Sequence, residues 1–556
     1  MCFGYPVTSP TEFLCLSPTV SLPPVSAVSP LKPDRFEHEL RGHPDRGQVR
    51  YVLEGLRTGF RLGFTPVGNL KSAKRNKPTA YKHRGVIDSY LADEVRLGRV
   101  AGPFLSPPLP KLHISSFSVI PKKGQTGKWR LIVDLSSPKG LSVNDGIDPE
   151  EFSMHYIRLD EIIRMIAAHG IGALMAKFDV ESAYRNVPVH PEDRYLLGLK
   201  WRGQYYVDLA LPFGLRSAPY IFNSLANMVQ WILVHNYKIS DLVHYLDDFI
   251  LVAPPGSQVC HHNLATALTV CQQLGLPLHP KKCVGPSTAL TILGIHLDSV
   301  RQSAELPQDK LAALRELIAA WTAKRWCTKK ELESLIGHLH HAAKVVWPGR
   351  AFIRRMIDLL NCFRRQDHPI RLSQEFRLDL AWWHQFLSHW HGVGFWLFPG
   401  LSPPPDLEIL TDASGAIGFG AIWGSAWFNG SWLHQQVDKS TAYKELFPIA
   451  IAAAVWGHRW PRLHIRFRSD NEAVVAILNS RTSKVPAIMH LVRHLLHSAA
   501  KFQFSFSALH IPGLCNSVAD ALSRFHWQDF RRLAPTALAA PTSIPPEVIC
   551  DLTSAL

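Results

Sequence analysis

Apolar residues along this chain change spacing often enough to mark out elements before any residue is given a chemical role. From Gln48 to Phe64 the run QVRYVLEGLRTGFRLGF sets Val52, Leu53, Leu56 and Phe60 at helical spacing with arginines between them. That spacing predicts a basic amphipathic helix. The stretch AKRNKPTAYKHR after it is a cationic connection, read either as a solvated loop or as a contact for a polyanion. Between Ser116 and Val133 two β-type runs, FSVIPKK and WRLIV, flank GQTGK, whose glycines predict a hairpin turn. A helical run over Leu159 to Ala168 leads into the strand MAKFDV, and its apolar stretch ends at Asp179. A long helix follows from Pro219 to His235, with proline at the first position, where its missing N–H costs nothing. A second hairpin is centred on YLDDFILV.

Beyond Pro307 the pattern turns helical. Leu311, Leu314, Ile318 and Trp321 form one face, Leu332, Leu335, Ile336 and Leu339 another, and Thr328 with Glu331 is a capping-box start. The segment SPPPD at 402–406 predicts an extended linker and a domain boundary, because consecutive prolines lack backbone donors. Strands and helices then alternate through FQFSFSAL to Arg524, after which periodicity fades. The fold class expected is α+β multidomain. Its parts are a disordered Pro/Ser-rich tail (1–47), a basic helical N-terminal extension (48–110), a mixed domain (111–300), a helical region (301–401), a mixed sheet with flanking helices (406–525) and a C-terminal tail (526–556).

Composition narrows the partners. Lysine and arginine total 60 against 45 acidic residues, a formal +15, which suits a polyanion by counterion release and equally suits a basic surface kept for solubility. The 9 cysteines show no C-x-x-C spacing, so a reducing, intracellular setting is expected, cytoplasmic, nuclear or both. The longest apolar run, LFPIAIAAAVW, is far short of the roughly 20 residues that cross a bilayer and reads as a buried helix. The opening MCFGYPVTSP lacks the basic start and apolar core of a secretory signal.

Chemistry enters with the acids. Tyr245-Leu246-Asp247-Asp248 sits between apolar LVHY and FILV, which puts two carboxylates at the tip of an otherwise buried hairpin. Burying them without a partner is costly, although an Asp pair at a turn is by itself more often turn chemistry than catalysis. Asp179, ending its own apolar strand, adds a third carboxylate. Such hard oxygen ligands suit magnesium. Joining a nucleotide to a primer uses two divalent cations about 3.5 to 4 Å apart for in-line displacement.

The residues around these acids resemble those of reverse transcriptases. KFDVESAYRNVPVHPEDR is similar to the first palm motif, LPFGLRSAPYIFN to the second, YLDDFILV to the catalytic hairpin, and GLPLHPKKC with TILGIHLDS to the motifs that follow. Five motifs in that order are specific where a lone Tyr-x-Asp-Asp would be weak. The resemblance implies a right-hand polymerase, with fingers and palm over 111–300 and a thumb/connection over 301–401. Asp179, Asp247 and Asp248 would then be the catalytic, metal-binding acids, and Val180 would lend its backbone carbonyl. Tyr184 matches the side chain that excludes a ribose 2′-hydroxyl, against a plain reading as a packed core tyrosine. Lys123 and Arg130 match residues that clamp the incoming triphosphate, an arrangement suited to charge-assisted contacts. Lys282 matches the position that protonates pyrophosphate, with neighbouring Lys281 as its alternative. Phe213 stands where retroviral enzymes carry glutamine and is expected to pack the nucleotide sugar or template base.

A second set of acids follows the linker. Asp412 ends a strand before a glycine-rich hairpin, Glu445 lies on the helix YKELFPIAIAAA, Asp470 ends HIRFRSDN and Asp520 lies in NSVADALSR. Singly each is bland. In this order they resemble the four catalytic, metal-binding acids of RNase H domains, which a mixed sheet would bring to one edge. HIPGLCNSVADALSR is similar to the end of those domains in long-terminal-repeat and DIRS-type retroelements, the DIRS type being favoured. There Asn516 and Ser517 would help the last helix present Asp520, and His510 stays outside the catalytic set. The resemblance implies an RNA-directed DNA polymerase with ribonuclease H activity and two Mg2+ per site, Mn2+ being an alternative. Its partners would be an RNA template, a DNA primer, an RNA–DNA hybrid and deoxynucleoside triphosphates, with no membrane. No Asp-Ser-Gly or Asp-Thr-Gly protease signature and no His/Cys integrase start is present, so a recombinase or integrase is expected on a separate chain or reading frame. Two other readings stay open, a catalytically silent, domesticated nucleic-acid-binding relic and an RNase H-only enzyme. Intact acids in both sets favour the polymerase with nuclease.

Overall fold

Residues 29–66, 68–121, 127, 129–365, 368–396 and 407–554 are described by the structure, a computed structural model. Lys123 and the expected linker at 402–406 lie outside them. The chain divides into two units, residues 1–158 with 174–287, and residues 159–173 with 288–556. The expected domain boundaries therefore differ from this division, since the second unit borrows a helix from within the sequence of the first.

The first unit begins with α1 (Pro33–Glu39) and α2 (Arg46–Thr58). Helix α1 falls inside the stretch 1–47 expected to be disordered; its prolines mask a short pattern in which Leu31, Phe36 and Leu40 are buried. Lys32 N–H also donates to Leu274 O (2.9 Å), tying the segment down. Helix α2 starts where the Asp45 carboxylate accepts from Gln48 N–H and buries Val52, Leu53 and Leu56 as their spacing predicts. It stops before Phe60 because Gly59 has φ +94, and a Cβ there would meet His190 N at 2.5 Å. Phe60 is still buried, bridging Val189 outside the helix.

Next come α3 (Arg84–Arg96), β1 (Val100–Phe104) and the predicted hairpin, β2 (Ser116–Pro121) with β3 (Trp129–Asp134). Strand β1 falls within the stretch 48–110 expected to be helical, where Gly102 and Pro103 hide its alternation. After α4 (Leu159–Ala168), a member of the second unit, the chain runs through β4 (Leu174–Asp179), β5 (Gly198–Trp201) and β6 (Gln204–Asp208). It continues with α5 (Ala218–His235), β7 (Leu242–Tyr245), β8 (Asp248–Ala253), α6 (Val259–Leu274) and β9 (Val284–Ser287). Strands β1, β6 and β5 form one sheet, and β7-β8-β4-β9 form another that carries the first set of acids. Phe178 and Phe249, opposite each other on β4 and β8, stack at 4.8 Å and anchor that sheet in the core. A buried Arg185 bridges α3 to β6, its Nη2 lying 2.7 Å from both Glu94 Oε2 and Asp208 Oδ1.

The second unit holds a sheet in the order β10 (Ala289–Ile292), β11 (Ile295–Asp298), β12 (Ser303–Glu305) and, last, β13 (Val393–Phe395). Between β12 and β13 lie α7 (Gln308–Thr322), α8 (Lys329–Ala342), α9 (Arg354–Leu360) and α10 (Gln374–His389). The predicted faces of α7 and α8 are buried, and both bonds of the Thr328–Glu331 capping box form. A five-stranded sheet follows, built from β14 (Glu408–Ala413), β15 (Gly418–Trp423), β16 (Ala426–Ser431), β17 (His464–Ser469) and β18 (Ser505–His510). Its order is β16-β15-β14-β17-β18, with β14, β17 and β18 parallel. Helices α11 (Thr441–Trp456), α12 (Glu472–Ser480), α13 (Pro486–Phe502) and α14 (Ser517–Ser523) complete it. Helix α11 is buried on nearly all sides, as LFPIAIAAAVW predicts.

Residues 526–554, expected as a tail, carry α15 (Trp527–Leu533) and α16 (Pro546–Thr553) and form a strap. Leu538 N–H donates to Ser425 O (2.8 Å) and Thr542 N–H to Trp427 O (2.7 Å), covering the edge strand β16. The strap shows no periodicity because its helices bury one residue apiece, Phe530 and Leu552. No helix among the described residues is long and apolar enough to cross a membrane.

Candidate active sites

In the first unit the sheet register assembles the acids. Asp179, the last residue of β4, is the direct partner of Asp248, the first residue of β8. Val180 N–H donates to Asp247 O (3.0 Å), fixing the hairpin against β4. The turn places Leu246 at φ +54, in the left-handed region that a branched side chain disfavours, a strain held by the strands on either side.

Burial pushes the Asp248 carboxyl up to about 6, with repulsion from Asp247 and Asp179 adding to it. Burial raises Asp247 as well, again with Asp179 contributing. Asp179 is only 4% exposed, and its Oδ2 lies 2.8 Å from Lys282 Nζ. That ammonium stands where positive charge is required, a sign that the donor set suits cations. Between the two lysines left open by sequence, Lys282 is the one paired with Asp179.

Three of the residues expected to meet a nucleotide, Tyr184, Phe213 and Arg130, come together in the first unit. Tyr184 and Phe213 have ring centroids 5.4 Å apart, and the Arg130 guanidinium lies 5.7 Å from the Phe213 ring. Burial, then the charge of Asp247, raises the Tyr184 phenol, which keeps it neutral. One residue escaped the sequence reading. Tyr156, 41% exposed, stacks on Tyr245 of the hairpin at 4.9 Å, and no spacing rule links positions so far apart.

The second unit draws its acids together more tightly. Among the described residues, Asp412, Glu445 and Asp470 offer carboxylate oxygens that all lie within 4.8 Å of one another. They come from the end of β14, from α11 and from the residue after β17. Burial raises Glu445 to about 9, and the charges of Asp412 and Asp470 add to the shift. Asp412 is raised to about 6, first by burial. Glu445 Oε2 is buried without a hydrogen-bond partner. Like charges and an orphaned oxygen at this spacing fit a divalent cation, which would satisfy both.

Asp520 on α14 is close enough for its charge to raise Asp412, but its Oδ1 is held by Arg524 Nε at 2.7 Å. Asn516 does not cap α14 with its side chain; its Nδ2 donates to Thr411 O (3.0 Å), and its carbonyl accepts from Asp520 N–H (3.0 Å). Ser523 Oγ donates to Asp412 Oδ2, an unanticipated contact. Its signal was present, since Ser523 follows Asp520 by three residues and so shares its helix face.

The folds and acids define a chain with two separate carboxylate centres. Comparison with known proteins matches parts of the chain to two family models. Residues 120–297 match the family model described as reverse transcriptase (RNA-dependent DNA polymerase), and residues 450–526 match one described as reverse transcriptase-like. The chain thus contains a reverse transcriptase domain and an RNase H-like domain, and its relatives are viral and transposon polyproteins. It is 23% identical to Polyprotein P3 of Commelina yellow mottle virus over 72% of its own length and 20% of that protein. It is 22% identical to the Transposon Tf2-3 polyprotein of Schizosaccharomyces pombe over 73% of its length and 28% of that protein. The chain therefore spans only 11% to 28% of the length of the curated relatives it matches. A foamy viral protease-reverse transcriptase in complex with double-stranded DNA aligns over 91% of this chain and 84% of that one, with TM-score 0.46 and 14% identity.

Proposed function

We propose that this chain is an RNA-directed DNA polymerase that also hydrolyses RNA in RNA–DNA hybrids, serving replication of a retroelement. The observation that carries the reading is that each unit gathers its acids, Asp179 opposite Asp248 in the first and Asp412, Glu445 and Asp470 within 4.8 Å in the second. Residues 111–300 would act as fingers and palm, 301–401 as thumb and connection, and 406–525 as the nuclease.

Asp179, Asp247 and Asp248 with the Val180 carbonyl, and separately Asp412, Glu445, Asp470 and Asp520, would hold divalent cations, Mg2+ or Mn2+. Bound there, the cations supply charge stabilisation for an in-line displacement at phosphorus. The chain's own groups do the rest. Arg130 and Lys123 would grip the triphosphate, and Tyr184 with Phe213 would close the sugar side, so that a 2′-hydroxyl meets the phenol ring. Lys282, once released from Asp179, would give a proton to the departing pyrophosphate. In the second centre Ser523 and Asn516 would keep Asp412 oriented while Asp520 exchanges Arg524 for the substrate complex.

Purified chain with a labelled RNA–DNA hybrid, magnesium and deoxynucleotides tests both centres together. Asp247→Asn is expected to abolish extension and spare cleavage, and Asp470→Asn the reverse. Extension retained in Asp247→Asn, or cleavage retained in Asp470→Asn, would reject the assignment.

A further inference from the structure

Away from the carboxylates, the second unit carries a groove of about 1200 Å³. One wall comes from the segment leading into α9, from α9 itself and from α10, the other from the α12–α13 loop and α13. Its lining includes the cations Arg350, Arg354, Arg355, Arg481, Lys484 and Arg493, against two carboxylates, Asp358 and Glu375.

The acids near these cations leave most of the charge unbalanced. Arg354 pairs with Asp358 at 3.1 Å, and Arg350 reaches Asp160 only at 3.6 Å. Arg355 and Arg493 share the single buried carboxylate of Asp379, each at 3.8 Å, which is too long for a hydrogen bond. Arg493 Nε is buried without a hydrogen-bond partner. Among the described residues, Arg481 and Lys484 have no carboxylate partner. Burial and the neighbouring Arg350 hold the Arg481 guanidinium below its ordinary value, as expected where positive charge is crowded.

The shape selects the kind of anion. At about 1200 Å³ the groove exceeds the roughly 300–1,000 Å³ of a usual small-ligand site. Its aromatic side chain is already occupied, because the Arg481 guanidinium lies 4.3 Å over the Trp347 ring and Phe506 meets that ring edge-on at 5.9 Å. A nucleobase would have to displace Arg481 to stack on Trp347, while a line of phosphates finds cations on both walls.

We propose that this groove is a phosphate-backbone site, an anchor that holds a nucleic-acid strand by charge, without reading bases, and is lined by none of the clustered acids. It rests on the function proposed above only in the choice of nucleic acid as the polyanion.

The test is binding of the full chain to a labelled RNA–DNA hybrid in EDTA, which leaves the acid centres without cations, across a series of salt concentrations. The double variant Arg354→Gln, Lys484→Gln changes two solvent-facing side chains and is expected to leave the unfolding midpoint in place. Affinity should fall about tenfold or more, and the slope of log K against log salt should become shallower by about 1 to 2. Equal affinity and slope in wild type and variant overturn the proposal. So does an unchanged hybrid affinity accompanied by thermal stabilisation from inorganic tripolyphosphate that the variant loses, since the site would then hold free polyphosphate. Hybrid binding that depends on the groove in a chain showing neither extension nor cleavage supports the groove and rejects the catalytic reading.

Discussion

Glu445 must lose a proton before it can hold a cation, and its burial among Asp412 and Asp470 places that event at about pH 9. The sign of the effect on stability follows. An unfolded glutamate titrates near about 4.3, so between that value and 9 the folded chain keeps a proton the unfolded chain releases. Stability of the cation-free chain therefore falls as pH rises through this window and levels off above it. Asp412, raised to about 6, adds to the fall at the acid end. Magnesium is expected to act in the opposite direction, because it would bind the ionised acids. Thermal unfolding in EDTA should show a midpoint that declines from pH 5 to pH 9, and the gain from Mg2+ should be larger at pH 9 than at pH 6. Glu445→Gln should remove most of the decline and most of the gain. A Mg2+ gain that is the same at every pH would contradict this account.

Elements whose causes are local were legible in the sequence. Helix α8 begins where Thr328 Oγ1 accepts from Glu331 N–H, and the Glu331 carboxylate, drawn down to about 2 by Lys324 and by bonds from Thr328, returns the contact. Four residues of sequence, Thr328 to Glu331, contain that entire device. Thr328→Ala should lower stability by about 1 kcal/mol, measured by denaturant unfolding, with no change in the apparent affinity for a hybrid. The two hairpins and the strand ends carrying Asp179 and Asp412 were readable for the same reason. What sequence left open depends on distant partners. The pairing of Lys282 with Asp179, 103 residues away, could not be read from either position alone. Helix α1 escaped because prolines surround its few apolar positions, and Phe60 was placed on a helix that Gly59 ends early. The Arg185–Glu94–Asp208 cluster was equally hidden, since each charge reads as solvated until its burial is seen.

At the scale of the whole molecule, the sequence pattern conveyed the α+β character and both sets of acids, but not how the chain is shared between its units. The strap is one case. The Arg531 guanidinium donates to the carbonyls of Ala537, Leu538 and Ala539, Trp427 Nε1 donates to Leu538 O, and Tyr443 Oη reaches Leu552 O, two residues from Glu445. Burying Phe530 and Leu552 is worth about 1.5 to 3 kcal/mol each. A chain ending at Arg524 should unfold at least about 6 °C lower and lose cleavage before extension as temperature rises. An unchanged midpoint would make the strap ornamental. Helix α4 is the other case. It buries Ile162, Ile163 and Ile166 in the unit completed by residues 288–556, with Ser299 Oγ donating to Ala173 O (2.7 Å) just beyond it. During synthesis this helix emerges well before the residues it packs against. Until they arrive it presents an oily stripe with nothing to cover it, and a messenger truncated anywhere between the two would release a sticky fragment in place of a small polymerase.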